Sequence, residues 1–440
     1  MRSKILAMTS INGASSTALF TDRYELTMLA AGLRDGTAHR PCVFEAFARR
    51  LPDGRRYGVV GGTGRLIEAI ERFRFCDDEL QFLSENHIVD RPTLDWLRAF
   101  RFSGDVIGYR EGEIYFPESP VLTVRSSFAE GIILETLILS ILNHDSAIAS
   151  AGARMVTAAD DRPCIEMGSR RAHEESAVAA ARAAYLVGFA STSNLEAGRR
   201  YGVPTAGTAA HSWTLLHDNE MAAFTSQVDA LGRGTSLLVD TYDVMDGIRN
   251  AVHAAGHELG AIRLDSGDLG ELATEARELL DSLGATKTRI IVTSDLDEYA
   301  IAGLRAAPVD GYGVGTALVT GSGAPTAGMV YKLVEHNGIP VAKKASGKAS
   351  VGGAKIAVRR HNTRGRMTEE EAVLGGSPTV ETNDRKLQVS FITDGEIQQR
   401  HTLSESRDYH REAMSTLPVE AHKLLRGGPV LDVDIHRAEA

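Results

Sequence analysis

The stretch "GTAAHSW" (207–213) holds one imidazole, His211, behind a run of small residues. A neutral imidazole can act as nucleophile, proton carrier or metal ligand near pH 7. Carboxylates recur in three other short stretches: Asp240 and Asp243 in "VDTYD", Asp265 and Asp268 in "LDSGD", and Asp295 in "TSD". Guanidinium groups stand in "GSRRAH" (Arg170, Arg171) and "IRLD" (Arg263). Hydroxyl and small residues complete the set: Ser193, Thr208, Ser294, Gly313, Gly315 and Thr316. The planar fork of Arg matches a carboxylate or phosphate. An Asp suits a ribose diol or a magnesium ion bridging phosphates. "TSD" and "GYGVGT" offer free backbone N–H groups and helix starts, which favour a phosphate. Together these types describe a site for a phosphorylated sugar and a small anion.

Each signal has a plainer reading. Asp243 and Asp268 can N-cap the helices that follow them. Arg171 can be a surface ion pair, and "GYGVGT" can mark close backbone packing. His253 and His257 are spaced as in some zinc sites, yet no third ligand or adjacent Glu base accompanies them, and Gly256 weakens the helix between them. "GVVGGTG" (58–64) lacks both the Lys-Ser/Thr of a P-loop and the spacing of a dinucleotide fingerprint, so a strand-to-helix turn explains it better.

What shifts the balance is shared location. From about residue 126 short apolar runs end in polar clusters and are followed by helical stretches. Ser169, Ser191, Thr208, Asp240, Asp265, Ser294 and Gly315 mark seven such ends, one βα unit per step. The runs read as buried strands, hence a parallel sheet whose strand C-termini share one face. A closed or nearly closed α/β barrel is the first choice and a doubly wound sheet the alternative. Residues 1–125 mix helix and strand patterns, with "TDRYELTMLAAGLRDG" a helix capped at Thr21 or Asp22 and stopped by Gly36. The predicted division is an N-terminal unit, 1–125, completed by 341–440, and a catalytic unit, 126–340. Residues 341–367 hold eight Lys and Arg and no acid.

Length and charge bound the function. The 440 residues exceed one ordinary core. A net charge of −10 argues against a general nucleic-acid partner. Three widely spaced cysteines give no disulfide framework or thiolate zinc site, and a reducing, cytoplasmic setting fits. "MRSKILAMTSINGASS" has too short an apolar run for a secretory signal. No apolar run approaches membrane-spanning length, because Glu135 and Thr136 interrupt "GIILETLILSILN"; no membrane partner is expected.

In order and with compatible spacing, "TDRYELTM", "FEAFARRLP", "EMGSRRAH", "GFASTSN", "GTAAHSW", "IRLDSGDL", "TSDLDE" and "GYGVGTALVT…VYKLVE" resemble nicotinate phosphoribosyltransferases, from about residue 18 to 360. The resemblance implies an irregular TIM-like α/β barrel plus an α/β (α+β) sandwich domain, in a homodimer. It implies formation of nicotinate mononucleotide from nicotinate and phosphoribosyl diphosphate in NAD salvage. It further implies ATP as co-substrate, a phosphorylated histidine and Mg2+. By the same resemblance His211 is the phosphorylated residue and Asp240 polarises its other ring nitrogen. Arg170, with Thr208, holds the nicotinate carboxylate, and Arg263 lies against the pyridine. Tyr24 stacks on that ring, from the neighbouring subunit. Asp265 binds the ribose, and Ser294, Gly313, Gly315 and Thr316 surround the 5′-phosphate. Lys332 and the basic 343–355 segment contact diphosphate or ATP, with Arg49 and Arg50 as weaker candidates.

Ser193 bears on the choice of base. Related nicotinamide-using enzymes resemble this chain but carry an Asp in the motif matching "GFASTSN". A carboxylate there would repel nicotinate, whereas Ser193 with a nearby Arg favours it. Nicotinamide as substrate, a non-catalytic nucleotide-binding regulator and an aldolase-like barrel are the alternatives; none of the seven strand ends carries the Lys that a Schiff base needs.

Overall fold

Glu135–Ala159, a helix of 25 residues, joins two hydrophobic cores. The computed structural model describes residues 15–343 and 350–438. The first half of that helix puts Leu137, Ile138, Ile141 and Leu142 into one core, and its second half puts Ile148, Ala149, Ala153 and Met155 into the other. Sequence reading expected no apolar run of spanning length. The helical stretch Phe128–Ala159 is long and apolar enough to qualify, because helix continues through the polar interruption at Glu135. Two thirds of its most apolar window is buried inside the fold, as a shared core helix requires.

The second core lies under a six-stranded parallel sheet. Its strands, in spatial order, are Ser191–Thr192, Cys164–Glu166, Gly311–Val314, Arg289–Val292, Ala261–Leu264 and Ser236–Leu238. Six of the seven expected runs thus form strands. The seventh, "PTAGTAAHSW", makes a single parallel bridge, Thr205 to Thr192. Pro204 and the Gly and Ala residues after it are poor strand formers. Consecutive runs pair side by side, and the last pairs with the first through Tyr312↔Cys164. Among the described strands of this sheet, only Thr205 and Ser236–Leu238 fail to pair with each other. The sheet is therefore a curled, singly wound one with one break, and the doubly wound alternative is excluded.

The other core lies under a seven-stranded sheet, in which Pro41–Ala48 pairs antiparallel with Leu122–Ser127 and with Met329–His336. Met329–His336 falls within 126–340 in sequence but belongs to this sheet. Gln388–Thr393 also joins it, against Asp105–Tyr109, so the C-terminal segment returns to the N-terminal unit. Lys355–His361, Met367–Leu374, Arg385–Lys386 and Val433–Arg437 make a separate four-stranded sheet that sequence reading did not foresee. The first helix runs Arg23–Asp35 from Asp22, and Gly36 ends it at φ 80°, the left-handed region that glycine adopts without strain.

Candidate active site

Beyond the single bridge at Thr205 the chain forms the short helix His211–Leu216, with His211 at its first position, beside the residues that follow Ser236–Leu238 and Ala261–Leu264. Trp213 fixes this helix: its indole N–H donates to the Ala223 carbonyl at 3.1 Å. His211 Nδ1 lies 3.1 Å from Thr241 Oγ1. His211 Nε2 lies 4.0 Å from Asp240 Oδ1 and 3.9 Å from Asp265 Oδ2. The expected Asp240–imidazole hydrogen bond is absent, since 4.0 Å exceeds bonding range. Asp240 is instead turned toward the next strand end: its Oδ2 accepts from the Asp265 N–H and the Ser266 hydroxyl, both at 2.8 Å. Its side chain is 1% exposed, and Oδ1 is buried without a hydrogen-bond partner. Thr241, which sequence reading passed over, takes the imidazole.

Arg263 rises from Ala261–Leu264 into the same space, and its Nη1 donates to Thr208 Oγ1 at 2.7 Å. Its Nε is buried and unpartnered. Burial pushes this guanidinium below its ordinary pKa; Asp265 and Asp240 oppose that shift and the Arg170 charge adds to it. Arg170 is thus close enough to act on Arg263. Among the described residues neither guanidinium has a carboxylate within 4.0 Å. Arg170 and Arg171 sit exposed on the single turn Ser169–Arg171.

Glu166, buried beneath that turn, is a further residue missed from sequence. It accepts from the Gly168 N–H and the Thr192 hydroxyl, and burial pushes its carboxyl up against those two bonds. It thereby ties the Arg170 turn to the loop bearing Ser193. Asn194 adds a second tie, donating to Ser169 Oγ at 3.0 Å.

Asp265 accepts a hydrogen bond from Thr293 through Oδ1, which leaves Oδ2 toward His211. Ser294 follows at φ 135°, a strained backbone for a residue with a side chain. Gly313 has a packing reason to be glycine: a Cβ there would lie 2.4 Å from Thr293 Cγ2 and 2.8 Å from Met167 Sδ. Gly315 caps the short helix Thr316–Val319, and Thr316 is exposed.

Tyr24 and Lys332 form a separate cluster on the antiparallel unit. Burial, then the Glu135 carboxylate, pushes the exposed Tyr24 phenol well up. Burial pushes Lys332 down, with Glu135 opposing and Arg49 and Lys343 adding to it. Neither residue bonds to the His211 group in this chain. Three residues of the basic stretch are neutralised by the fold. Lys355 is buried 2.6 Å from Glu45, Arg359 pairs with Glu370, and Arg360 pairs with Glu371 and Asp384. Lys355 is therefore removed as a phosphate contact, and Lys344 and Lys348 lie outside the described residues, as does most of the opening "MRSKILAMTSINGASS".

Other plain readings hold. Asp243 caps its helix through the Asp246 N–H at 2.9 Å, and Asp268 caps through Gly270 and Glu271. The helix of His253 stops at Ala255, before His257, which breaks the zinc-like spacing. In "GVVGGTG", Gly62 and Gly64 donate their N–H groups to Glu111, so an internal carboxylate fills the cradle.

The nicotinate phosphoribosyltransferase (NAPRTase) N-terminal domain matches residues 19–143, and the nicotinate phosphoribosyltransferase (NAPRTase) family matches 163–361. The chain is 59% identical over 422 residues to nicotinate phosphoribosyltransferase pncB1 of Mycobacterium tuberculosis, covering 94% of each. It is 39% identical over 329 residues to nicotinate phosphoribosyltransferase of Bacillus subtilis, covering 72% of this chain and 67% of that one. The crystal structure of human nicotinic acid phosphoribosyltransferase superposes with a TM-score of 0.83 at 26% identity, covering 94% of this chain and 97% of that one. With matched models over most of its length and a relative so similar end to end, the chain belongs to the nicotinate phosphoribosyltransferase family.

Proposed function

We propose an assignment of parts for the nicotinate phosphoribosyltransferase reaction of NAD salvage, in which nicotinate and phosphoribosyl diphosphate give nicotinate mononucleotide and diphosphate. One observation carries the reading. Two guanidiniums, Arg170 and Arg263, stand close together at strand ends with no carboxylate bonded to either, beside Asp240 and Asp265. Paired cations of this kind call for an anion between them. Arg170 and Thr208 hold the nicotinate carboxylate, and Arg263 lies against the ring. Asp265, steadied by Thr293, takes the ribose hydroxyls. Ser294, Gly315 and Thr316 take the 5′-phosphate. Ser193 places no charge against nicotinate, whereas an Asp would repel it.

The ring nitrogen gives its lone pair to C1 of the ribose while the C1–O bond breaks, and diphosphate carries that electron pair away. No proton moves, so the protein's task is alignment and charge stabilisation. His211 accepts the γ-phosphoryl of ATP on a ring nitrogen, with ADP leaving, and water later releases phosphate. Thr241 and the Asp240–Asp265 pair orient the ring. A magnesium ion suits the residues present. Asp240 Oδ1 is buried and unpartnered, and Asp265 Oδ2 lies beside the same imidazole nitrogen. Asp240 and Asp265 would hold such an ion together with substrate phosphates, and it would supply charge to screen those phosphates.

The curled sheet is an irregular TIM-like barrel opened at one joint. Two units fit the chain: residues 126 to about 320 around the parallel sheet, and the N-terminal unit with Met329–His336 and the C-terminal segment. Exposed Leu195, Leu215, Leu216 and Tyr242 near the strand ends, and exposed Phe20 and Tyr24 on the other unit, support a homodimer in which Tyr24 reaches the partner's site. Free Cys42, Cys76 and Cys164 fit a cytoplasmic setting. The test is product formation by the purified chain with phosphoribosyl diphosphate and either base, with and without ATP. Nicotinate mononucleotide, formed faster with ATP, is expected. A preference for nicotinamide overturns the base assignment, and no diphosphate release overturns the whole reading.

A further inference from the structure

His144 and Asp145 stand together in the middle of the shared core helix, where neighbouring residues normally diverge by about 100°. Here they are joined. His144 Nδ1 lies 2.9 Å from Asp145 Oδ1, and His144 Nε2 lies 2.7 Å from Ser176 Oγ. Asp145 is fully buried and is held by Arg65 Nη1, 2.8 Å from both its oxygens. Despite burial its carboxyl is held below the usual range, by Arg65 first and His144 second. A buried carboxylate with a charged partner is fixed in place, since losing either partner is costly. Asp145 therefore anchors the imidazole. With Nδ1 turned to the Asp145 carboxylate, Nε2 is left to the Ser176 hydroxyl.

Ser176 lies on the first turn of Glu174–Leu186, the helix that follows the Arg170 turn. That turn is pinned on its near side by Glu166, through the Gly168 N–H. The helix beyond it has no side-chain cap at its start. On the far side the first helical turn is tied twice, at Glu175 by Arg200 and at Ser176 by His144, and only the Ser176 tie reaches the part of the core helix that is locked to the N-terminal unit through Arg65.

We propose that the Arg65–Asp145–His144–Ser176 chain is a positioning device for Arg170, holding its turn from behind so that the guanidinium is ready for the nicotinate carboxylate. This rests on the assignment of Arg170 above. His144 and Ser176 touch no substrate; they act through the backbone between residues 170 and 176. Binding of the carboxylate then needs less ordering of the turn, which is where affinity is gained.

The test is steady-state kinetics of the full chain carrying Ser176→Ala, Ser176→Thr, His144→Ala, His144→Gln or Arg170→Ala, with thermal midpoints measured alongside. Ser176→Ala and His144→Ala are expected to raise the nicotinate KM about tenfold, the effect of one hydrogen bond, while kcat and the phosphoribosyl diphosphate KM stay within about twofold. Ser176→Thr, and His144→Gln in part, are expected to restore the nicotinate KM. Ser176 is half-buried on a first helical turn, so its Ala variant remains folded even where His144→Ala does not. An unchanged nicotinate KM in Ser176→Ala, or equal rises in both substrates' KM, overturns the proposal. If Arg170→Ala leaves the nicotinate KM unchanged, the carboxylate assignment is what fails. If Arg170→Ala raises it and Ser176→Ala does not, the clamp alone fails.

Discussion

Asp240→Asn separates charge from shape at the centre of the site. The amide can keep its oxygen where Oδ2 now accepts from the Asp265 N–H and the Ser266 hydroxyl. Its NH2 then occupies the Oδ1 position, 4.0 Å from His211 Nε2, where no protein group is bonded now. The fold is preserved and one negative charge is lost. For unit charges at that distance the Coulomb energy is about 4 kcal/mol at an effective dielectric of 20. His211 is 40% exposed, so solvent screening reduces the term, and roughly 1–3 kcal/mol is the working range. That is about a ten- to hundredfold loss wherever the imidazole carries developing positive charge. The assay is the ratio of initial rates with and without ATP at saturating nicotinate and phosphoribosyl diphosphate. The ratio is expected to fall toward one, with the ATP-free rate changing least and the thermal midpoint nearly unchanged. Full ATP stimulation in Asp240→Asn refutes the argument that this carboxylate supports the His211 chemistry.

Four further outcomes are expected. His211→Asn removes ATP stimulation, and the phosphoryl mass shift seen after ATP treatment of the parent chain is lost from intact-protein mass spectra. Arg263→Lys loses the 2.7 Å bond to Thr208 and the planar fork, lowering kcat/KM for nicotinate about ten- to hundredfold. Gly313→Ala drives a methyl to 2.4 Å from Thr293 Cγ2, and Thr293 holds Asp265; calorimetry is expected to show a loss of about 1–3 kcal/mol, and kinetics a raised KM for phosphoribosyl diphosphate. His410 is fully buried with its Nδ1 2.9 Å from the Gly112 carbonyl, and burial pushes its pKa from 6.5 down to about 4. The unfolded chain then binds that proton more readily, so this contribution is fully present above about pH 6.5 and is lost as pH falls toward 4. Roughly 3 kcal/mol is at stake in full, and about 2 kcal/mol of it is expected between denaturant midpoints at pH 7.5 and 5.

The strand ends were legible because a parallel buried strand is an apolar run that stops abruptly at polar residues, and six such stops are found at one end of one sheet. "PTAGTAAHSW" has the same polar stop but lacks β-branched bulk, and it forms only a bridge. Met329–His336 was assigned to the wrong layer for a different reason. Its pattern specifies a strand, while its partner, Pro41–Ala48, is set by packing across most of the chain and leaves no local mark. The same limit hid Lys355. A lysine in a basic run reads as solvent-facing until the buried Glu45 that neutralises it is known. Within the site, residue types were readable but contacts were not. In "VDTYD" the carboxylate draws the eye, yet the threonine beside it takes the imidazole. Asp240 and Thr241 both lie past the end of Ser236–Leu238, where no strand period governs direction, and the path of that loop decides which one meets His211.

The break in the sheet explains why the histidine stands where it does. The segment Thr205–Thr208 pairs only at Thr205, and the chain then starts the His211 helix with its imidazole beside the ends of Ser236–Leu238 and Ala261–Leu264. Small residues do not occur there because neighbours crowd them: a Cβ at Gly207 would meet nothing within 4 Å. This contrasts with Gly313, where packing alone forbids a side chain. The two glycines on one face thus have opposite causes, one keeping the carboxylate that faces the ribose in register, the other leaving room beside an imidazole and a guanidinium. Filling the open position should therefore cost the enzyme substrate affinity and little stability, whereas filling the packed one should cost both.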